Sequence, residues 1–302
     1  MDRVAIFGPN PILNITIEPG DDIHVHVGGQ GVWVARTAGE LGAHPILCGF
    51  VGGEPGRLLE AMVDELPGER RLVPTAAASG CSVVDRRDGS GKVIATAWSG
   101  PPSRHEADDL FSLTCAAALD SSVLAVCNPW PGELLPLDLY GNLVADVRAN
   151  GVPVLVDLSS PRLDSALEGG PELVKINDWE LAEFVAGPVD GPRLRAGAER
   201  LLERGAGTAV VTRGAEPALA VTAGGAWEVV PPRLERGFRE GCGDSMLGAM
   251  AAAWAAGLGL ERALVLGAAA GAACFLRHGL GSAHRTVIEE LAERVELRPA
   301  RP

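Results

Sequence analysis

Gly241-Cys242-Gly243-Asp244-Ser245 runs directly into Met246-Leu247-Gly248-Ala249-Met250-Ala251-Ala252-Ala253-Trp254, a stretch apolar and alanine-rich enough to be a buried helix. Two glycines permit a tight turn and a close backbone approach, and the free N–H groups at the helix start then face whatever lies in front of them. Such a place binds anions. Asp244 is an acid set where an anion would be welcome, so either it caps the helix or it works as a base beside a bound phosphate. The motif alone does not choose, since an Asp in a first turn is favoured by the helix dipole and Gly-x-Gly is common.

Two further segments carry polar groups at the ends of apolar runs. Leu173-Val174-Lys175-Ile176-Asn177-Asp178-Trp179-Glu180-Leu181 reads as a strand turning into a helix. Asn177 and Glu180 then share one face of the first turn, either as a capping box or as ligand-facing groups. Val210-Val211-Thr212-Arg213-Gly214 is a strand ending in a hydroxyl and a glycine, which an ordinary turn would also explain.

These groups need a scaffold, and the pattern of the chain supplies one. Short apolar runs at Arg3–Phe7, Pro45–Val51, Val123–Cys127, Pro153–Asp157, Leu173–Ile176 and Thr208–Thr212 read as buried strands. Helical patterns lie between them at Val32–Leu41, Gly56–Leu66, Glu106–Leu119, Asp138–Asn150, Trp179–Ala186 and Arg193–Arg204. This alternation predicts an α/β fold with a mostly parallel central sheet covered by helices on both faces, and ligands beyond the carboxyl ends of its strands. Residues 12–27 and 81–98 instead alternate apolar with polar and carry turns at Pro19-Gly20-Asp21 and Asp88-Gly89-Ser90-Gly91. They are expected to be antiparallel hairpins that form a small β-sheet, serving as a lid or as a surface on which two copies pair. No linker or repeat divides residues 1–302, which are expected to form one domain.

A chain of 302 residues, 47% hydrophobic and 22% charged, can bury a large core. Its formal net charge of −13 and lack of a basic stripe argue against a nucleic-acid partner, although a single nucleotide needs only a few local donors. The six cysteines (Cys48, Cys81, Cys115, Cys127, Cys242, Cys274) include no C-x-x-C pair, and no apolar leader precedes Val4. The reading is a reduced, cytoplasmic protein without a membrane span.

Taken in order and at these spacings, Lys175-Ile176-Asn177-x-x-Glu180, Thr212-x-Gly214 and Gly241-x-Gly243-Asp244-Ser245 resemble the PfkB branch of the ribokinase family. Asn10-Pro11-Ile12-Leu13-Asn14 is similar to the family's Asn-Pro-Ala-x-Asp segment, and Gly28-Gly29-Gln30-Gly31-Val32-Trp33-Val34-Ala35-Arg36 to its Gly-Gly-Lys-Gly-x-Asn-x-Ala-Arg signature. Gly49-Phe50-Val51-Gly52-Gly53 and Val156-Asp157-Leu158-Ser159 agree with it too, so nearly the whole chain is covered. The resemblance implies a ribokinase-like fold and an ATP-dependent carbohydrate kinase. It makes Asp244 the catalytic base, with the turn of Gly241, Cys242 and Gly243 as an anion hole for the transferring group. Asn177, Thr212, Gly214 and Gly243 would bind nucleotide, and Glu180 would help hold Mg²⁺ through water. Asn10, Asn14, Gly28, Gly29, Gln30, Trp33 and Asp244 would face the acceptor.

The acceptor segments depart from the pattern of the sugar-phosphate kinases. Asn14 stands for an Asp, Gln30 for a Lys, Trp33 for an Asn and Cys81 for an Arg. Two cations suited to a substrate phosphate are missing, at about 1.5–3 kcal/mol for each hydrogen bond to a charged group. The expected acceptor is therefore not a phosphorylated hexose but a neutral sugar, cyclitol or nucleoside, with Trp33 stacking on it. A nucleoside kinase on the same scaffold, and a sugar- or nucleotide-binding protein that has lost turnover, are the competing readings.

Overall fold

In the computed structural model, which describes residues 2–89, 91–130, 132–277 and 283–300, strands and helices alternate as the sequence pattern requires. β1 (Arg3–Phe7) is followed by a hairpin, β2 (Ile12–Glu18) and β3 (Asp22–Gly28), then by α1 (Gln30–Glu40), β4 (His44–Gly52), α2 (Gly53–Val63) and β5 (Glu69–Thr75). A second hairpin, β6 (Cys81–Asp85) and β7 (Lys92–Ala97), leads into α3 (Arg104–Leu119), β8 (Val123–Cys127), α4 (Leu137–Ala149), β9 (Val154–Asp157) and α5 (Arg162–Glu168). The chain continues through β10 (Leu173–Asn177), α6 (Asp178–Phe184), α7 (Pro192–Glu203), β11 (Thr208–Arg213), β12 (Glu216–Thr222) and β13 (Gly225–Val230). It closes with α8 (Cys242–Ala255), α9 (Gly259–Phe275), α10 (Arg285–Ala292) and β14 (Glu296–Pro299).

The main sheet has the order β14-β13-β12-β11-β10-β9-β8-β1-β4-β5. From β11 to β5 every pairing is parallel. β12, β13 and β14 add an antiparallel edge that the sequence pattern did not reveal. The link between β11 and β12 is too short for a crossover, so the chain can only fold back on itself there. The path runs outward from β1 to β4 and β5, then returns to β8 and proceeds the other way. The switch point therefore lies between the carboxyl ends of β1 and β8, where open α/β sheets leave a crevice.

Both faces of the sheet are covered, so strand residues alternate between two cores. Val4 and Ile6 of β1 join Met246, Leu247 and Met250 of α8, whereas Ala5 and Phe7 join Tyr140 and Leu143 of α4. The Phe7 and Tyr140 rings meet edge to face at 6.0 Å. α8 is buried without a break from Asp244 to Ala253, as its composition predicts. Its small residues let neighbouring helices approach: a Cβ on Gly248 would lie 2.5 Å from the Val34 carbonyl oxygen of α1, and one on Gly267 of α9 would lie 2.8 Å from Met250 Cγ.

The two hairpins form the expected small sheet, in the order β3-β2-β6-β7. Each hairpin is antiparallel within itself, but β2 and β6 pair in parallel, because both leave the main body from the same side. At the base of this sheet Ile12 pairs with Gly28, Leu13 with Cys81 and Cys81 with Ala97. Ser90, in the turn expected at residues 88–91, lies outside the described residues. The outer strands present Ile23 and Val25 on one side and Val93 and Ile94 on the other to solvent.

Gly248→Ala tests the close crossing of α1 and α8. The added methyl improves helix propensity by about 1 kcal/mol, but it strikes rigid backbone, and overpacking of this kind typically costs about 1–3 kcal/mol. A melting temperature lower by about 2–5 °C is expected in differential scanning calorimetry; an unchanged or higher value would show that the helices can move apart.

Candidate active site

The turn before α8 takes the form that its two glycines allow. Gly241 is left-handed, at φ 78°, and caps the helix without a side-chain hydrogen bond. Gly243 brings the turn close to Lys175: a Cβ there would lie 2.9 Å from the ammonium nitrogen. The Cys242 N–H reaches the Arg239 carbonyl at 3.3 Å, while Gly243 and Asp244 sit in the first turn, where N–H groups have no carbonyl one turn back inside the helix. Lys175 thus lies directly beneath the helix start, and its charge adds to that of the N–H groups.

Asp157 ends β9 and Lys175 lies at the middle of β10, opposite each other in the sheet register. Their side chains meet at 2.5 Å, with exposures of only 4% and 5%. Burial disfavours the Lys175 charge, but the carboxylates of Asp157 and Asp244 outweigh it and raise the pKa. Asp244, 7% exposed, responds in the opposite sense to an ordinary carboxylate. Burial first and the Asp157 charge second push it up to about 7, with Lys175 and its own backbone N–H pulling against them. A carboxyl with this value can accept a proton near neutral pH, the property a general base requires.

Asn177 and Glu180 form a reciprocal capping box at the start of α6: the Glu180 N–H donates to Asn177 Oδ1 at 2.9 Å, and the Asn177 N–H to Glu180 Oε2 at 3.0 Å. The cap does not exhaust Glu180. Burial and the nearby Asp157 charge raise its pKa, so its remaining carboxylate oxygen stands in an acidic neighbourhood that a cation would relieve. Asn177 is paired with Thr212 in the sheet, and Gly214, left-handed at φ 61°, has open space where a Cβ would project. The expected nucleotide residues are therefore contiguous along the ends of β10 and β11. Among the described residues no cluster of three His, Cys, Asp or Glu side chains forms a metal cage.

On the other side of α8 the expected acceptor residues have mixed fates. Asn10, after β1, is buried and clasps the backbone of Trp130: its Oδ1 accepts from the Trp130 N–H at 3.2 Å and its Nδ2 donates to the Trp130 carbonyl. Gln30 Oε1 accepts from the Asn128 N–H at 2.7 Å, which ties α1 to the same loop. Asn14 is buried at the foot of the small sheet, and a Cβ on Gly28 would overlap its amide. Gly29, at φ 103°, caps α1 within 3.0 Å of the Asn10 carbonyl, measured from an added Cβ. Trp33 departs from expectation: it is 8% exposed and packed in the core, with its indole N–H buried and unpartnered among the described residues. It lies one position beyond the buried Val32, on a helix whose inner face leaves room for a large ring.

The sequence reading passed over Lys175 as a site residue, although a lysine inside an apolar strand must be paired. It also missed the loop after β8. Arg162, buried at the start of α5, reaches that loop and donates to Asn128 Oδ1 at 2.7 Å, the Gly132 carbonyl at 2.9 Å and Ser159 Oγ at 2.9 Å, bracing the ends of β8 and β9. Trp130 and Trp98, 62% and 52% exposed, place their rings 5.5 Å apart, one carried by this loop and the other just beyond β7. No motif marks either, because the pair exists only once the small sheet is docked.

The model of the pfkB family carbohydrate kinases matches residues 13–286. An ATP-dependent 6-phosphofructokinase isozyme 2 of Mycobacterium tuberculosis is 28% identical, covering 96% of this chain and 89% of its own. A 1-phosphofructokinase of Escherichia coli is 26% identical over 98% of both chains. The fold matches that of the tetrameric inhibited form of phosphofructokinase-2 from Escherichia coli (TM-score 0.85, 24% identity, 97% and 99% covered). It also matches Arabidopsis thaliana ribokinase complexed with ribose and ATP (TM-score 0.75, 19% identity, 96% and 98% covered).

The raised Asp244 pKa has a consequence for stability. A carboxyl that ionises near ~3.9 when unfolded and higher when folded makes the native state progressively costlier as pH rises through that window, whose upper end here is about 7. Asp244→Asn removes the cost. The variant should melt about 3–8 °C above the parent chain at alkaline pH, with the gap closing as pH falls toward 4. A gap that is absent at alkaline pH would refute the assignment.

Proposed function

Because the chain belongs to the pfkB family of carbohydrate kinases, we propose that it transfers the γ-phosphoryl group of ATP to a hydroxyl of a neutral, sugar-like acceptor, with Asp244 as the base. The observation that carries this reading is the Asp244 carboxyl, held near neutrality at a helix start with the Lys175 ammonium beneath the adjacent glycine. Asp244 takes the acceptor proton as the hydroxyl oxygen attacks phosphorus. The turn of Gly241, Cys242 and Gly243 faces the charge that builds on the transferring group. Asn177, Thr212, Gly214 and Gly243 border the nucleotide. Mg²⁺, bound mainly by triphosphate and water, would neutralise charge there, and Glu180 suits it, since such ions need only one or two carboxylates.

Asn10, Asn14, Gly28, Gly29 and Gln30 border the acceptor in this reading, with Trp33 behind them. The phosphofructokinases among the relatives carry a phosphorylated hexose in their names, but Gln30 and Cys81 replace the cations expected for a phosphate. The exposed Trp98–Trp130 pair offers an aromatic surface beside these residues, suited to the C–H face of a sugar ring. The same surface suits a nucleoside base, which keeps a nucleoside kinase as the second reading. The intact cluster of Asp157, Lys175, Glu180 and Asp244 speaks against a protein that only binds.

Among the described residues no cysteine pair forms a disulfide, which supports a reduced, cytoplasmic setting, and no helix is long and apolar enough to cross a membrane. The whole chain would work as one catalytic unit. The exposed apolar side chains of β3 and β7 support a homodimer formed through the small sheet acting as a lid.

ADP release measured against neutral sugars, cyclitols, nucleosides and phosphorylated hexoses should show turnover with a neutral acceptor; preference for a phosphorylated hexose would sink that part of the proposal. With the best acceptor, Asp244→Asn should lower kcat by about 10²–10⁴. For the parent enzyme, kcat/KM should rise about tenfold per pH unit on the acid side of the Asp244 value and level off above it. Combining Ile23→Asp with Ile94→Asp should shift the sedimentation coefficient from dimer to monomer, and a parent chain that already sediments as a monomer would end the lid-pairing idea.

A further inference from the structure

Cys242 and Cys274 form a thiol pair for which the kinase chemistry has no use. Cys242 opens α8, between the two glycines of the turn, and Cys274 lies in the last turn of α9. One turn before Cys274, Gly271 brings the α9 backbone against the turn: a Cβ there would lie 3.2 Å from the Cys242 carbonyl oxygen. The Cys242 thiol reaches the Phe238 carbonyl at 3.3 Å and the Cys274 thiol reaches the Glu240 carbonyl at 3.6 Å, so both sulfurs bear on the same short stretch of the loop, close enough for Cys274 to raise the pKa of Cys242. The Phe238 N–H donates to the Phe275 carbonyl at 2.8 Å, so the loop and the end of α9 are fastened by backbone as well. Two sulfurs are thus held together by elements that are already locked, and one of them stands inside the anion hole.

We propose that Cys242 and Cys274 are a modification site, at which a peroxide converts the thiol pair into an intramolecular disulfide that disables the nucleotide phosphate site. Cys242 is the more exposed sulfur and takes the first step: its sulfur attacks the peroxide, the O–O bond breaks, and a sulfenic acid and water form. Cys274 then attacks the sulfenic sulfur, forming the S–S bond and releasing a second water. In sum two thiols lose two electrons and two protons, and one peroxide is reduced to two waters. A dithiol reductant reverses the bond by exchange.

The bond changes the site because it is shorter than the contact it replaces. A disulfide holds its sulfurs at about 2.05 Å, well inside hydrogen-bonding separation, so closure draws the first residue of α8 toward α9. The N–H groups of Gly241 to Asp244 move with it, away from the line on which a phosphate would meet them. Around Cys242 stand Cys274 of α9, Asp244 of its own helix and Arg239 of the loop. The Cys274 thiol beside it first, and burial second, hold the Cys242 thiol protonated well above neutral pH. The thiolate is the nucleophile, so the pair rests as a dithiol and closes slowly, under sustained oxidant.

The test uses the full chain, reduced and then treated with hydrogen peroxide. Intact-mass spectrometry should show the loss of two hydrogens, and peptide mapping should join the segments carrying Cys242 and Cys274. Affinity for a fluorescent ATP analogue should fall at least about tenfold and recover with dithiothreitol. Cys274→Ser, checked for an unchanged melting temperature, should keep its own nucleotide affinity through the same treatment. Absence of the Cys242–Cys274 link, or a link that leaves nucleotide affinity unchanged, would overturn the proposal. A reduced chain that binds no nucleotide would sink the kinase reading instead, while the mass and the peptide map still decide whether the disulfide forms.

Discussion

Lys175 and Asp157 meet at 2.5 Å with almost no exposure, and a pair so placed has surrendered the hydration of both charges. In stability terms such pairs commonly break even at best. Here the pair conditions everything near it. The Lys175 ammonium lies where a β-carbon at residue 243 would crowd it, at 2.9 Å. The Asp157 charge helps to hold Asp244 protonated until near neutrality and raises Glu180 as well. One cation among three carboxylates is an arrangement poised for more positive charge, which a metal-bound triphosphate would bring.

The sheet makes that arrangement without long connections. Parallel pairing sets Lys175 beside Asp157 and Asn177 beside Thr212, so these four side chains are registered by backbone hydrogen bonds and not by loops. The reversal of strand order between β8 and β1 then opens the crevice in which the loops after these strands meet. Asn10 clasps the backbone of Trp130 across that crevice, and Arg162 braces the same loop from the side of β9. The side of Asn10, Gln30 and Asn128 is therefore held by neutral hydrogen bonds and one buried guanidinium, in contrast to the charge-dense side under α8.

The sequence made the glycine turn before α8, the Asn177–Glu180 cap and the strand–helix alternation legible, because each is written in neighbouring residues. What it hid depends on contacts between distant segments. The antiparallel edge of β12 to β14 and the parallel union of β2 and β6 are both properties of strands paired together. Trp33 was read as a ligand-facing ring because its motif position suggested so, yet a tryptophan in a short apolar helix gains more by burial. Lys175 and Arg162 looked like ordinary charges in their own segments. Their roles appear only when Asp157, Asn128 and Ser159 are brought alongside.

The base of the small sheet has a mechanical meaning. Val27, Leu13, Cys81 and Ala97, at or one residue inside the points where the chain enters and leaves the two hairpins, fall on one line of paired residues. Four straps attached along one line make a hinge: they permit swinging about that axis, while sliding along it would shear the pairing at every crossing. A body mounted in this way has one soft degree of freedom. Trp98, just beyond the last strap, would ride near the axle, where the arc is short, whereas the far turns would sweep widely.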